Sequence, residues 1–321
     1  MRNAKRLIKS FINLLLPVAV LLFAAVLAGG VWLVYASAIA PKSEYMVVPA
    51  KLALLSSRGA QITDETWPNS DGTSARGWLL RGSPDAPAVI LLHRYGTDRS
   101  HLLNFGVKLS ETTNFTILMP DMRGHGLDPP VEKTTFGGSE VGDTLSAIGF
   151  LKTLATADGK PLVGKKFGIY GIELGAITGI AAAAKDPAIR AIALESVPRS
   201  SNDLIASIVT SKYPVGSSIT SLLAKGGSYI YFLRGTYDRT TACEHAKSLA
   251  DRNVLLLAGP GARYFQTTTS NLSSCFPQNT KVRAFTDLAP SGFDLTNATL
   301  EQADFYDQRV IYFLQESLAG E

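Results

Sequence analysis

The run Lys166-Phe-Gly-Ile-Tyr-Gly-Ile-Glu-Leu-Gly-Ala-Ile-Thr-Gly-Ile-Ala-Ala-Ala-Ala184 restricts this chain to few folds. Its start, Phe167 to Tyr170, is a short apolar stretch that reads as a buried strand. Gly171-Ile-Glu-Leu-Gly175 then turns sharply into an alanine-rich helix that ends near Asp186-Pro187. The two flanking glycines let the turn close tightly and let strand and helix pack together. Glu173, between them, is thereby held out at the tip of the strand.

A segment of another kind opens the chain. From Ser10 to Pro41 no charged residue occurs, and Leu14 to Val34 is almost wholly apolar. That is long enough to cross a bilayer as a helix. A cleavable leader has a shorter apolar core, so the length favours an uncleaved anchor, although Ala36-Ser37-Ala38 has the form of a cleavage site. Arg2, Lys5, Arg6 and Lys9 precede the span and only Lys42 follows closely. The positive-inside rule therefore predicts a cytoplasmic N-terminus and a large domain on the exported side, periplasmic or extracellular.

The chain has 31 basic and 27 acidic residues, and the four in the tail account for the excess of +4. A domain with balanced charge does not suit nucleic acid as a partner. Two cysteines occur, Cys243 and Cys275. In an exported domain they either pair or remain two buried thiols.

The expected division is a basic tail over 1–10, an anchor over 11–40, a connector with β character over 41–60, and one large domain over 61–321. Gln61 to Trp67 and Arg76 to Leu80 read as strands joined by Asn69-Ser-Asp-Gly72. Ala88 to Leu92 is a continuous apolar run suited to a central parallel strand. A helix from about Asp98 to Leu109 follows, then a strand at Phe115 to Met119, then an amphipathic helix over Glu140 to Leu154. Ile189 to Leu194 is another strand beyond the glycine-flanked turn. Strands alternating with helices at this spacing predict an α/β fold with a doubly wound, mostly parallel sheet.

Four pieces carry a family likeness: Leu91-Leu-His93 with Gly96, Asp121-x-Arg-Gly-His-Gly126, Glu140-x-x-Asp143, and the Gly-x-Glu-x-Gly175 turn. Together they resemble the monoacylglycerol-lipase-like and serine-aminopeptidase-like branch of the α/β-hydrolase superfamily. The resemblance implies an α/β-hydrolase fold in which the turn is a nucleophile elbow, G-x-S-x-G, with an acid after a late strand and a histidine after the last. Here Glu173 stands where the serine is expected.

Two registers are open for the other members. In the first, Tyr229 to Leu233 is the late strand and Asp238 the acid. In the preferred second, Asn253 to Leu257 is the late strand, 199–252 is roughly a cap or insertion, and Lys281 to Phe285 is the last strand. The acid position then falls at Ala262 and the histidine position at about Phe293. Arg94 also stands where a glycine usually follows the histidine of the oxyanion loop.

Glu173 as a nucleophile would form an ester whose hydrolysis needs a histidine-activated water. No histidine lies near the end of either candidate last strand. His93 and His125 belong to the loop signatures, and His101 and His245 read as solvated helix residues. A metal site of His93, His125 and Glu173 lacks any recognised ligand spacing, and no cofactor is expected.

The reading is a membrane-anchored pseudohydrolase that binds a small-molecule or protein ligand, with His93, Arg94, Glu173 and His125 lining the pocket. The alternative is an active hydrolase on esters or acyl groups through Glu173 or a non-standard constellation. Arg94 and Glu173 are expected either to form an ion pair that plugs the old site or to part, with Glu173 satisfied by water or backbone amides.

Overall fold

The computed structural model describes residues 2–319 apart from 43, 55, 214, 215, 234 and 236. In chain order, α1 (Arg2–Ala38) is followed by the short α2 (Pro49–Leu52), β1 (Thr63–Pro68), β2 (Ser74–Leu80), β3 (Ala86–Leu92), α3 (Leu103–Thr113) and β4 (Thr116–Pro120). Then come α4 (Ser139–Thr153), β5 (Val163–Ile172), α5 (Leu174–Lys185), β6 (Ile189–Glu195), α6 (Ser201–Lys212), α7 (Ser217–Tyr231) and α8 (Ala242–Ala246). The chain closes with β7 (Asn253–Leu257), α9 (Arg263–Leu272), β8 (Lys281–Phe285) and α10 (Leu300–Ala319).

These elements form two compact units, Met1–Ser37 with Ile205–Gly235, and Ala38–Leu204 with Thr236–Glu321. The expected cap therefore does not belong wholly to the large domain. Most of its first two helices group with α1 instead.

In the second unit the strands run in the order β1-β2-β4-β3-β5-β6-β7-β8. β1 and β2 are antiparallel at one edge, and the six that follow are parallel. The central strands are apolar throughout because helices cover both faces. On one face Val89, Leu91, Ile117, Ala193 and Leu257 join a core with Leu103 and Val107 of α3 and Val310 and Leu314 of α10. α4 and α5 lie on the other, where Gly179 packs on Ile169, the neighbour of core-facing Tyr170.

Register is set around β7. It pairs with β6 through Val254↔Ile192 and with β8 through Val254↔Val282. Tyr229, Ile230 and Tyr231 are helical and outside the sheet. Ala262 accordingly follows β7, while Asp238 lies between α7 and α8. The connector differs from its expected β character: Pro49 opens one helical turn there, its fixed φ suiting the first helical position.

In the first unit, Asn13–Ala38 of α1 is long and apolar enough to cross a membrane. Gly30 faces α7 so closely that a Cβ there would stand 2.8 Å from the Leu223 carbonyl oxygen, and a Cβ on Gly227 would overlap Gly30 itself. Glycines on both sides are what let two helix backbones touch. Trp32 meets Tyr213 and Tyr35 meets Tyr231, with ring centroids 6.0 and 6.3 Å apart.

Candidate active site

The elbow is built by close approach. A Cβ on Gly171 would overlap the Gly175 carbonyl, and one on Gly175 would overlap the Leu92 carbonyl at the end of β3. Glu173 itself sits at φ 52°, ψ −100°, strained backbone for a residue with a side chain. Neighbouring groups hold it there. Its N–H donates to the Glu195 carbonyl at 2.9 Å, and its own carbonyl accepts from the N–H groups of Ala176 and Ile177 at 3.1 and 3.0 Å.

The carboxylate is buried, and its Oε2 accepts from the backbone N–H of Tyr95 at 2.9 Å. The neighbouring Leu174 N–H also favours the charged form of the carboxyl. In the elbow motif an oxyanion hole is made by the N–H of the residue after the nucleophile and an N–H from the loop after β3. Leu174 and Tyr95 are those two residues. Burial pushes the carboxyl up to about 7, against the opposing pull of the two amides and the nearby Arg94 charge.

The plugging ion pair expected of Arg94 and Glu173 does not form among the described residues. The Arg94 guanidinium lies over the Phe293 ring, 4.5 Å from its centroid. The Tyr95 amide already serves the carboxylate, and a planar cation gains by lying on a ring face. The position expected for the histidine thus meets the oxyanion-loop arginine and not Glu173. Among the described residues, a cavity of ≈ 60 Å³ lies beside them, walled by His93, Arg94, Thr97, Ile172 and Phe293.

His93 is fully occupied. Its Nε2 accepts from the Met122 N–H at 3.0 Å, and its Nδ1 is 2.8 Å from the Arg94 carbonyl. His125 bonds the Arg123 carbonyl through Nδ1 at 2.9 Å, and burial followed by the neighbouring His93 pushes it down to about 3. The His93 and His125 rings meet edge to face, 5.2 Å apart. Ala262 is buried directly after β7. Asp238 pairs with His245, Oδ2 to Nε2 at 3.2 Å, so His245 is not the solvated residue expected. His101 lies 3.7 Å from Asp98. No group of His, Cys, Asp and Glu able to hold a metal occurs among the described residues.

The loop signatures have structural duties. Arg123 meets Asp143 through two bonds of 2.9 and 2.6 Å and reaches Asp71 at 2.7 Å. Glu140 accepts from Thr134, from the N–H groups of Thr135 and Gly137, and from the Thr135 hydroxyl. Asp121 gathers the Tyr45 hydroxyl, the Arg99 N–H and Arg76 Nε.

Sequence reasoning missed one buried cluster. Glu195, at the end of β6, accepts from the Ser196 hydroxyl at 2.7 Å and from the Tyr306 hydroxyl at 2.8 Å. Burial raises its carboxyl. Tyr306 stands 3.2 Å from the Tyr170 hydroxyl. The only signal for it was a glutamate ending an apolar strand.

No family model matches the sequence, and a search of curated proteins found no match. Solved structures do match in shape. The esterase Pf2001 of Pyrococcus furiosus superposes with a TM-score of 0.62 at 17% identity, over 87% of this chain and 97% of that one. The α/β hydrolase GrgF of Penicillium sp. sh18 gives 0.55 at 15% identity, over 81% and 99%. A dienelactone hydrolase of Anabaena variabilis gives 0.52 at 13% identity, over 80% and 99%. At such identities the shared property is architecture, and by strand order, elbow and these likenesses the chain has the α/β-hydrolase fold.

Proposed function

We propose that this chain is a membrane-anchored pseudohydrolase: an α/β-hydrolase fold whose catalytic centre is closed and whose role is to bind a small molecule or a partner protein. One observation carries the reading. The Glu173 carboxylate occupies the Tyr95 amide, one of the two donors that a substrate oxyanion would need. A side chain at the nucleophile position that already takes one donor of the hole leaves a carbonyl poorly polarised. Among the described residues no hydrogen bond joins any of the four histidines to Glu173; they bond or lie near Arg94, Arg123, Asp98 and Asp238 instead. The cavity beside Arg94 is small, ≈ 60 Å³, and has room for ordered water.

Retention of the anchor has its own support. Gly30, Val34 and Ser37 are buried, and Gly30 is in backbone contact with α7. Cleavage after Ala38 would strip α7 of that partner. The basic residues ahead of the span favour a cytoplasmic N-terminus. The Cys243–Cys275 disulfide suits an oxidising, exported compartment.

A second reading draws on the elbow strain. Glu173 keeps the positive φ of the motif, a cost that an abandoned site need not bear, and this favours an active hydrolase on ester or acyl groups through Glu173. An ester and amide panel run on the full chain beside Glu173→Ala and Glu173→Gln separates the two. Turnover that depends on Glu173 would overturn the pseudohydrolase reading. Absence of turnover, with a lipid or protein retained at stoichiometry through purification, supports it.

A further inference from the structure

α7 has two unlike faces. Thr220, Ala224, Gly227 and Ser228 are buried, and the Thr220 hydroxyl is 2.8 Å from that of Thr210 in α6. The other face exposes Ile219, Leu222, Tyr229 and Ile230, continued by Leu233 just past the helix end. These residues recur at helical spacing. Leu222 and Leu233 are 73% and 70% exposed, which in water would leave a long apolar stripe without cover.

The position of that stripe identifies its cover. Gly227 touches Gly30, eight residues before Ala38, where the apolar span Asn13–Ala38 ends. At the rise of an α-helix this is about 12 Å inside the span's outer end. A span of 26 residues is about 39 Å long and overreaches a hydrocarbon core of about 30 Å, which sets Gly30 roughly 5–10 Å below the headgroup boundary, the depth of an interfacial helix. Trp32 and Tyr35 of α1 with Tyr213 and Tyr231 form an aromatic cluster at the same level, as membrane-interface belts do. Between Ile205 and Gly235 the sequence has no acidic residue and three basic ones, Lys212, Lys225 and Arg234. That charge suits anionic headgroups.

We propose that α7 is a second membrane element, lying in the interface of the bilayer that α1 crosses, with Ile219, Leu222, Tyr229, Ile230 and Leu233 in contact with lipid. The proposal rests on α1 being a retained anchor. It turns the anchor from a tether into one wall of a two-helix membrane-bound assembly, so that α7 is fixed at the lipid surface.

The test uses the full chain in vesicles of phosphatidylcholine and phosphatidylglycerol. Both native cysteines are bonded to each other, so an added cysteine is the only thiol to label. Leu222→Cys and Leu233→Cys remove no packing, and each takes an environment-sensitive fluorophore. Phe23→Cys in α1 reports the anchor, and Gln302→Cys, exposed on α10, reports water. The proposal expects blue-shifted emission at 222 and 233 that shallow spin-labelled lipids quench, quenching at 23 by deep ones, and neither effect at 302. Quenching at 23 with water-like emission at 222 and 233 overturns the proposal and leaves the anchor standing. Blue-shifted emission at 222 and 233 that no lipid quenches means protein covers the stripe, which also overturns it. Loss of quenching at 23 removes the anchor, and the proposal with it.

Discussion

The backbone N–H of Tyr95 points at Glu173 Oε2 across 2.9 Å, and this one bond joins the loop after β3 to the elbow after β5. A serine at position 173 could not span the same gap, since its side chain stops two atoms short of a carboxylate oxygen. In the pseudohydrolase reading proposed above, the residue at the nucleophile position would also block the hole, and the elbow's strained backbone would support that block.

A first prediction follows from the burial of this carboxylate. Its folded-state value of about 7 lies above the ordinary 4.5, so protons favour the folded form. The stability this gives is complete below about pH 4.5 and is lost as pH rises through about 7. Relative to Glu173→Gln, which does not titrate, the native chain should lose about 3 kcal/mol across that window. Denaturant unfolding of both proteins from acid to mildly alkaline pH measures the difference. A constant gap between the two curves would show that Glu173 is not held in this environment.

The buried Glu195 cluster makes a second. Tyr306→Phe removes the hydroxyl that donates to Glu195 Oε2 at 2.8 Å and leaves a buried carboxyl short of a partner. The expected loss is about 1–3 kcal/mol. Glu195→Gln, which keeps an acceptor for Tyr306, should cost less. A Tyr306→Phe protein as stable as the native one would mean that the hydrogen bond to Glu195 contributes nothing.

Much of this architecture is legible because close approach leaves a mark in sequence. Gly171 and Gly175 are glycine since a Cβ would collide with the Gly175 and Leu92 carbonyls. Val254 to Leu257 reads as a central strand because it is buried on both faces and so apolar throughout. Tyr229 to Leu233 is equally apolar but helical up to Tyr231; its aromatic run conceals a face patterned for something other than the sheet. The carboxylate's partner was not legible in residue types, because the donor is a backbone N–H group that any non-proline residue would supply. Arg94 and Glu173 lie just past the ends of neighbouring strands, yet sequence cannot say which way a long side chain turns. The Phe293 ring decided it.

The elbow glycines give a third prediction. Gly175→Ala should destabilise the fold by several kcal/mol or prevent folding, because the collision is with backbone that cannot yield. Gly149 in α4 is the contrast, with open space where its Cβ would stand. Gly149→Ala should stabilise by up to about 1 kcal/mol through helix propensity. Thermal melts of the two single variants check both signs at once.

The last prediction concerns Arg94, which touches Phe293 but acts on Glu173 from a distance. Its guanidinium lies 4.5 Å from the Phe293 ring centroid, so a double-mutant cycle of Arg94→Ala with Phe293→Ala should show a coupling of about 0.5–1 kcal/mol. A cycle of Arg94→Ala with Glu173→Gln tests a different interaction. With no salt bridge to break, the penalty of about 3–5 kcal/mol for splitting a buried pair should not appear. The Arg94 charge nevertheless helps keep the Glu173 carboxyl from rising further. Removing it should move the titration to a pH above about 7 and extend the window over which stability is lost. Following that midpoint in the native chain and in Arg94→Ala separates the field effect from the stacking. An unchanged midpoint would mean that burial and the backbone amides set the state of Glu173 without Arg94, and a penalty of several kcal/mol in the second cycle would restore the ion pair.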